Sequence, residues 1–230
     1  MNRLNLVMQH AAALGLDVDI QATAKAKALL GKSRHQTKHI AAVPWQDVPA
    51  FYAGLHEPTI THLALRLLIL TAVRSNPIRF CREDQIEGDT WIVPAAHMKA
   101  LKGKESDFRA LSQEAQKVLS AAQPYARDGF FYPSVRKGVI SDATMSKYMQ
   151  RLGMDARPHG FRSSFRTWCA EAINTPRDVA ETALTHSVGS QVERSYRRTG
   201  YLEQRRVLME RWAKHVTGEA SCEVSILFSP

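Results

Sequence analysis

Three short stretches set polar side chains into apolar sequence, and each of those side chains can meet an anion or move a proton. The first is Leu70-Thr71-Ala72-Val73-Arg74-Ser75, in which Arg74 closes a strongly apolar segment. The second is Pro158-His159-Gly160-Phe161-Arg162, followed by Arg166. His159 and Arg162 stand three apart at the start of a helix-forming stretch, so both can face one ligand. Free amide donors at a helix start add to the attraction for an anion. The third runs from Ala183-Leu184-Thr185-His186 to Ser195-Tyr196-Arg197-Arg198. Polar residues in such settings are informative because their neighbours are the types that bury.

Each of these residues also has a plain structural reading. Arg74 can carry its charge out to solvent at a helix C-terminus, where the helix dipole favours a cation. His159 and Arg162 can be a helix cap and a solvent-facing arginine. His186 can bond backbone at a helix end, and Tyr196 can sit at a core edge with its hydroxyl in water. Taken singly, each residue is better explained by its structural reading.

The elements that must position these residues are mostly helices. Residues 3–14 show a helical pattern through Leu4, Val7, Met8, Ala11 and Leu14. Residues 31–39 read as a polar, basic linker, and a main domain starts near Pro44. Thr61 is placed to cap a helix containing Leu63, Leu67, Leu68 and Val73, which Pro77 would stop. Trp91-Ile92-Val93 reads as a short strand, residues 99–106 as a basic turn and Asp107 to Leu111 as the return strand. Ser112 opens a helix that Pro124 ends, and Ser141-Asp142 starts another. Gly160 to Ala172 is helical in composition. Thr175-Pro176-Arg177-Asp178 carries a cap, a first-turn proline and an acid, in that order. Leu202 to Val216 is the last clear helix, with Leu202, Arg205, Leu208, Met209 and Trp212 mixing a core face with a basic one. The expected class is mainly α with one small antiparallel β-sheet (α+β).

Composition narrows the function. The 230 residues are 44% hydrophobic, enough for a packed core. Thirty-one Lys and Arg against 22 Asp and Glu leave a net charge of +9, a balance that suits nucleic acid as partner. Cys81, Cys169 and Cys222 are too few and scattered for a disulfide scaffold or zinc cluster. The apolar run Leu63 to Val73 is short of the ~18 residues a membrane span needs, and Arg66 interrupts it. No Asp/Glu cluster points to a two-metal nuclease, and Gly31-Lys32-Ser33 lacks the preceding glycine of a phosphate loop. No cofactor or metal is expected, and the expected location is cytoplasmic, with the bacterial nucleoid.

Together the three stretches fit one plan. Pro94-Ala-Ala-His-Met-Lys99, His159-Gly-Phe-Arg162, His186, Ser195-Tyr196-Arg197-Arg198 and Tyr201-Leu202-Glu203-Gln204-Arg205-Arg206 stand in order, with His186 24 residues after Arg162 and Tyr196 ten after His186. In these features the chain resembles the catalytic domain of tyrosine recombinases, most of all integrases of the P4-like phage group, over roughly Pro44 to Val216. The resemblance implies the tyrosine recombinase catalytic-domain fold. It implies a catalytic set of Arg74, Lys99, His159, Arg162, His186 and Tyr196. Tyr196 would attack a DNA phosphodiester, and the two arginines would fork onto its non-bridging oxygens. His159 would take the phenol proton, Lys99 would protonate the departing 5′ oxygen and His186 would hydrogen-bond the phosphate. Lys102 and Lys104 share the turn with Lys99 and are the alternatives, since register is weakly specified in a polar hairpin.

The resemblance further implies double-stranded DNA as partner, self-association into a synaptic tetramer and accessory DNA-bending proteins. By it, residues 1–40 are the remnant of a core-binding domain and linker, 41–216 the catalytic domain and 217–230 a C-terminal tail. Two departures stand out. Pro77 occupies a position that is usually acidic in the family, where the acid orients the first arginine, and Glu83 or Asp84 are the candidates to replace it. Phe108-Arg109-Ala110-Leu111-Ser112 stands where a hydrophobic-Pro-Leu-Ser phrase is expected. The alternative function is a non-catalytic DNA-binding remnant.

Overall fold

The computed structural model describes residues 2–31, 41–98, 107–184 and 201–219. They divide between two compact units, one within Met1–His39 and one within Ile40–Pro230.

The first unit contains helices α1 (Asn2–Ala13) and α2 (Ala22–Leu30). Thr23 donates to Asn5 Oδ1 between them, and Lys25 pairs with Asp19. Leu4, Val7, Leu14, Leu29 and Leu30 are all exposed, and the described residues of this unit enclose no core of their own.

The second unit is built on an apolar helix. Helix α3 (Val48–Ala53) leads to α4 (Ile60–Thr71), capped by Thr59, whose hydroxyl accepts from the His62 amide at 3.3 Å. The cap therefore lies two residues before the Thr61 expected from sequence. Helix α4 buries nine of its twelve residues. Its one charge, Arg66, is held at the margin by Glu114 at 2.8 Å and by the Tyr52 hydroxyl at 3.1 Å, which lets an ionic residue sit in so apolar a run.

Helix α4 does not run on to Pro77. Ala72 turns into the left-handed region at φ 48°, and Arg74 is extended. Ser75–Arg79 then form a new short helix, α5, with Pro77 in its first turn, where its missing N–H costs little.

The small sheet follows. Strands β1 (Ile86–Glu87), β2 (Thr90–Val93) and β3 (Asp107–Ala110) pair antiparallel in the order β1-β2-β3, with Trp91 opposite Arg109 and Val93 opposite Asp107. The two longer strands are those expected from sequence, and β1 is an addition. Helix α6 (Gln113–Ala122) is capped by Ser112, whose hydroxyl accepts from the Ala115 amide. Helices α7 (Thr144–Arg151), α8 (Phe161–Glu171), α9 (Arg177–Ala183) and α10 (Leu202–Thr217) complete the unit. At α9 the N-cap is Pro176 rather than Thr175.

Helix α10 closes the core. Trp212 is fully buried, donates to the Ile69 carbonyl of α4 at 2.8 Å and meets Phe165 and Trp168 of α8 with ring centroids 5.4 and 5.0 Å away. Burial of side chains this large is worth roughly 1.5–3 kcal/mol each and fixes α4, α8 and α10 against one another. Among the described residues, no helix is long and apolar enough to cross a membrane.

Candidate active site

The site begins where α4 ends. Ala72, left-handed and fully buried, turns the chain so that Arg74 leaves the helix axis and starts α5. Arg74 is therefore not the last residue of an apolar helix with its charge lifted to water. It is partly buried, and its Nη1 has no hydrogen-bond partner among the described residues.

Arg162 comes to the same place from α8. It is 4% exposed, in contrast to the solvent-facing arginine that its position near a helix start allows. Nη1 donates to the Ala72 carbonyl at 2.6 Å, and Nη2 donates to the Leu184 carbonyl just past α9. One guanidinium thus ties the residue two before Arg74 to the residue two before His186. Burial, with the charges of Arg74 and Arg109 behind it, pulls Arg162 down to about 9. Burial first, then Arg109, lowers Arg74 as well. Both remain cationic at neutral pH, so like charges are held together in a poorly solvated place, an arrangement that an anion stabilises.

His159 is exposed, in a 3-10 turn (Pro158–Gly160) that runs directly into α8. The turn is packed from behind. A Cβ on Gly160 would lie 2.6 Å from the Ala41 carbonyl oxygen and 2.8 Å from Ala42 Cα, so only glycine fits there. Ser164, one helical turn on, donates to the Val43 carbonyl. These contacts fix the start of α8, and with it the spacing of His159 and Arg162.

The approach to the basic turn is anchored to α5. Asn76 donates to the His97 carbonyl at 3.1 Å, and the His97 ring stacks on Phe80 with centroids 4.6 Å apart. Met98 is buried. The chain two residues before Lys99 is therefore tied to the helix that Arg74 starts.

Curated proteins and solved structures give this geometry a context. The chain is 27% identical over 217 residues to the integrase of Enterobacteria phage P4, covering 85% of this chain and 49% of that protein. It is 32% identical over 185 residues to prophage integrase IntZ of Escherichia coli (strain K12), covering 76% of this chain and 44% of that one. The chain spans about half the length of these relatives. A lambda integrase tetramer bound to a Holliday junction shares the fold, with a TM-score of 0.57 at 15% identity over 83% of this chain and 56% of that one. The chain is thus similar to phage and prophage integrases and has the tyrosine recombinase catalytic-domain fold. No protein-family model matches it.

Of the six residues that the tyrosine recombinase resemblance names, Arg74, His159 and Arg162 lie among the described residues. Arg74 and Arg162 come close enough to repel, and His159 stands one turn before Arg162. Lys99, His186 and Tyr196 lie outside the described residues, as do Lys102 and Lys104.

The departure at Pro77 has a visible counterpart. Pro77 is buried and offers no side-chain acceptor, and Arg74 Nη1 lacks one among the described residues. Neither sequence candidate replaces the acid by a direct contact. Asp84 accepts from Arg82 at 3.0 Å, and Glu83 accepts from Gln123.

Two residues of the site's surroundings were not read from sequence as site residues. Arg109 and Arg205 are 4% and 5% exposed. Arg109 sits where the family phrase expects an apolar residue, and that mismatch is the signal for it. Arg205 gives none, since its helical spacing reads equally well as a basic face.

Proposed function

We propose that this domain cuts and rejoins duplex DNA at specific sites, with Tyr196 as nucleophile, in the integration or excision of a mobile element. The observation that carries the reading is the meeting of Arg74 and Arg162, from elements 88 residues apart in sequence, at a poorly solvated place where Arg74 Nη1 has no acceptor among the described residues. Paired guanidiniums of this kind suit the non-bridging oxygens of a phosphodiester, and more so the pentacoordinate transition state, which carries one further negative charge.

The chemistry balances without an external energy source. The Tyr196 oxygen bonds to phosphorus, and the bond from phosphorus to the 5′ oxygen breaks. His159 accepts the phenol proton, and Lys99 supplies a proton to the departing oxygen. A 3′-phosphotyrosine and a free 5′ hydroxyl result. Attack by another strand's 5′ hydroxyl reverses each transfer and restores the tyrosine. His186 donates a hydrogen bond to the phosphate. Arg162 is buried and Arg74 partly buried before substrate arrives, so little reorganisation is needed during the reaction.

The tetrameric state of lambda integrase on its junction supports an equivalent self-association here, and accessory DNA-bending proteins belong to the same reading. The flank assignments follow from it: residues 1–40 as the end of a core-binding domain with its linker, 41–216 as the catalytic domain and 217–230 as a tail.

The experiment is covalent capture. The chain is incubated with a pool of randomised duplexes, each nicked so that cleavage releases a short strand and prevents rejoining. Covalent protein–DNA adducts are recovered under denaturing conditions and sequenced. Adducts enriched for one sequence and lost with Tyr196→Phe are expected. Salt-dependent duplex binding with no adduct would instead mark a non-catalytic DNA-binding remnant.

A further inference from the structure

Behind the two active-site arginines lies a second buried ionic group that the reaction as described does not use. Arg109, on β3, is paired in the sheet with the fully buried Trp91 and so is turned into the core. Its Nε pairs with Asp107, and its Nη1 donates to the carbonyl of Ala183, the last residue of α9. Nη2 is buried with no hydrogen-bond partner among the described residues. Arg205, on α10, donates to the Phe108 carbonyl at 2.6 Å and lies 3.9 Å from the other oxygen of Asp107.

We propose that Arg109 is a positioning residue of the anion site, holding the end of α9 beside Arg162 and supplying a third positive charge behind Arg74 and Arg162. This rests on the reading of that site as a phosphate site. Two features of the geometry carry it. Arg109 and Arg162 grip consecutive carbonyls, those of Ala183 and Leu184, from opposite elements, β3 and α8. The end of α9 is thus set by two ionic hydrogen bonds, each stronger than a neutral one. Positive charge also outweighs negative among the described residues: Arg109 and Arg205 face the one carboxylate of Asp107, while Glu181, which acts on Arg162, also holds Arg166 at 2.7 Å. Arg109 lies near enough to depress both Arg74 and Arg162. An oxyanion seated between those two relieves the repulsion from all three.

Arg109 does not itself reach the anion. The cavity that it lines with Thr71, Ala183, Arg205 and Met209 measures ≈ 10 Å³, room for about one water molecule and too small for a phosphate. Its effect is carried by charge and by the carbonyl that it holds.

The test is the rise in unfolding temperature that orthovanadate, a tetrahedral oxyanion, causes in the full chain at low ionic strength. Wild type is expected to rise with vanadate concentration. Arg109→Met should need roughly tenfold more vanadate for the same rise, the scale of one lost charged contribution. Arg109→Lys keeps the charge and should stay within about threefold of wild type. Because Arg109→Met leaves Asp107 with Arg205 alone, the double variant Asp107→Asn, Arg109→Met, which restores the local net charge but not the hold on the Ala183 carbonyl, is measured beside it and should show a smaller loss than Arg109→Met. If Arg109 only supports folding, these variants melt earlier but respond to vanadate as wild type does. That result overturns the proposal and leaves the Arg74–Arg162 site standing. A wild type that does not respond to vanadate at all overturns both.

Discussion

Arg162 donates a 2.6 Å hydrogen bond to the carbonyl of Ala72, a buried residue held at φ 48° two positions before Arg74. A left-handed alanine costs about 1–2 kcal/mol, and it is kept where the surroundings over-determine it. Here the bend takes Arg74 off the α4 axis, and the α8 arginine holds the bent carbonyl. The two guanidiniums are thus coupled through backbone as well as through repulsion.

Replacement of Arg162 by lysine should separate its binding and structural roles. An ammonium cannot fork between the Ala72 and Leu184 carbonyls, so one of them loses its partner at a cost of about 1–3 kcal/mol. Urea unfolding should show a loss of that size. Single-turnover adduct formation should fall by about 10²-fold or more, with duplex affinity changed far less.

Pro77 offers a gain-of-function test. Pro77→Glu places a carboxylate three residues after Arg74, in the first turn of α5, where Nη1 lacks an acceptor among the described residues. A side chain ordered by a charged hydrogen bond is better preorganised. Adduct formation should rise several-fold, on the order of one such bond. A rate that stays level or falls shows that the proline is matched to its surroundings.

Gly160→Ala should disturb the site by backbone crowding alone. The new methyl meets the Ala41 and Ala42 backbone below van der Waals distance, and backbone cannot move aside as a side chain can. A loss of about 1–3 kcal/mol is expected in urea unfolding. Adduct formation should fall further than stability accounts for, because the turn carries His159.

The fold should also lose stability in mild acid through His62. Its ring meets Tyr148 edge-on at 4.8 Å, and its Nδ1 is buried without a partner among the described residues. Burial lowers it from the ordinary 6.5, with Arg66 and His56 lowering it further and Glu57 acting the other way. The unfolded chain then takes up the proton at higher pH than the folded one. The His62 contribution is complete above 6.5 and declines as pH falls through the lowered value. Urea unfolding of His62→Phe between pH 5 and 8 should be flatter than that of wild type.

The sequence spelled out the elements better than the environment of the site. Thr-and-Ser caps, the period of Leu63 to Leu68 and the paired strands around a basic turn are local signals, and the elements lie close to where those signals put them. The bend at Ala72 has no local signal, because alanine favours continuing a helix and the hydrogen bond that meets the bent carbonyl comes from Arg162, 90 residues on. Burial of Arg162 and Arg109 was hidden for a similar reason. Alternation in β3 alone would turn Phe108 inward, yet Phe108 is 48% exposed and Arg109 is buried, since Asp107 and the Ala183 carbonyl supply its partners from afar. Pattern reading prices an arginine as a surface residue, whereas these two are held partly by carbonyls 74 and 90 residues away.

The most direct measurement is a crystal structure of Tyr196→Phe on a duplex recovered by covalent capture with wild type. Both guanidiniums, from Arg74 and Arg162, should lie within hydrogen-bond distance, about 2.7–3.2 Å, of non-bridging oxygens on one phosphate, with position 196 facing the same phosphorus. Arginines on different phosphates, or an Arg162 that stays wholly committed to the Ala72 and Leu184 carbonyls with no anion beside it, would contradict the account.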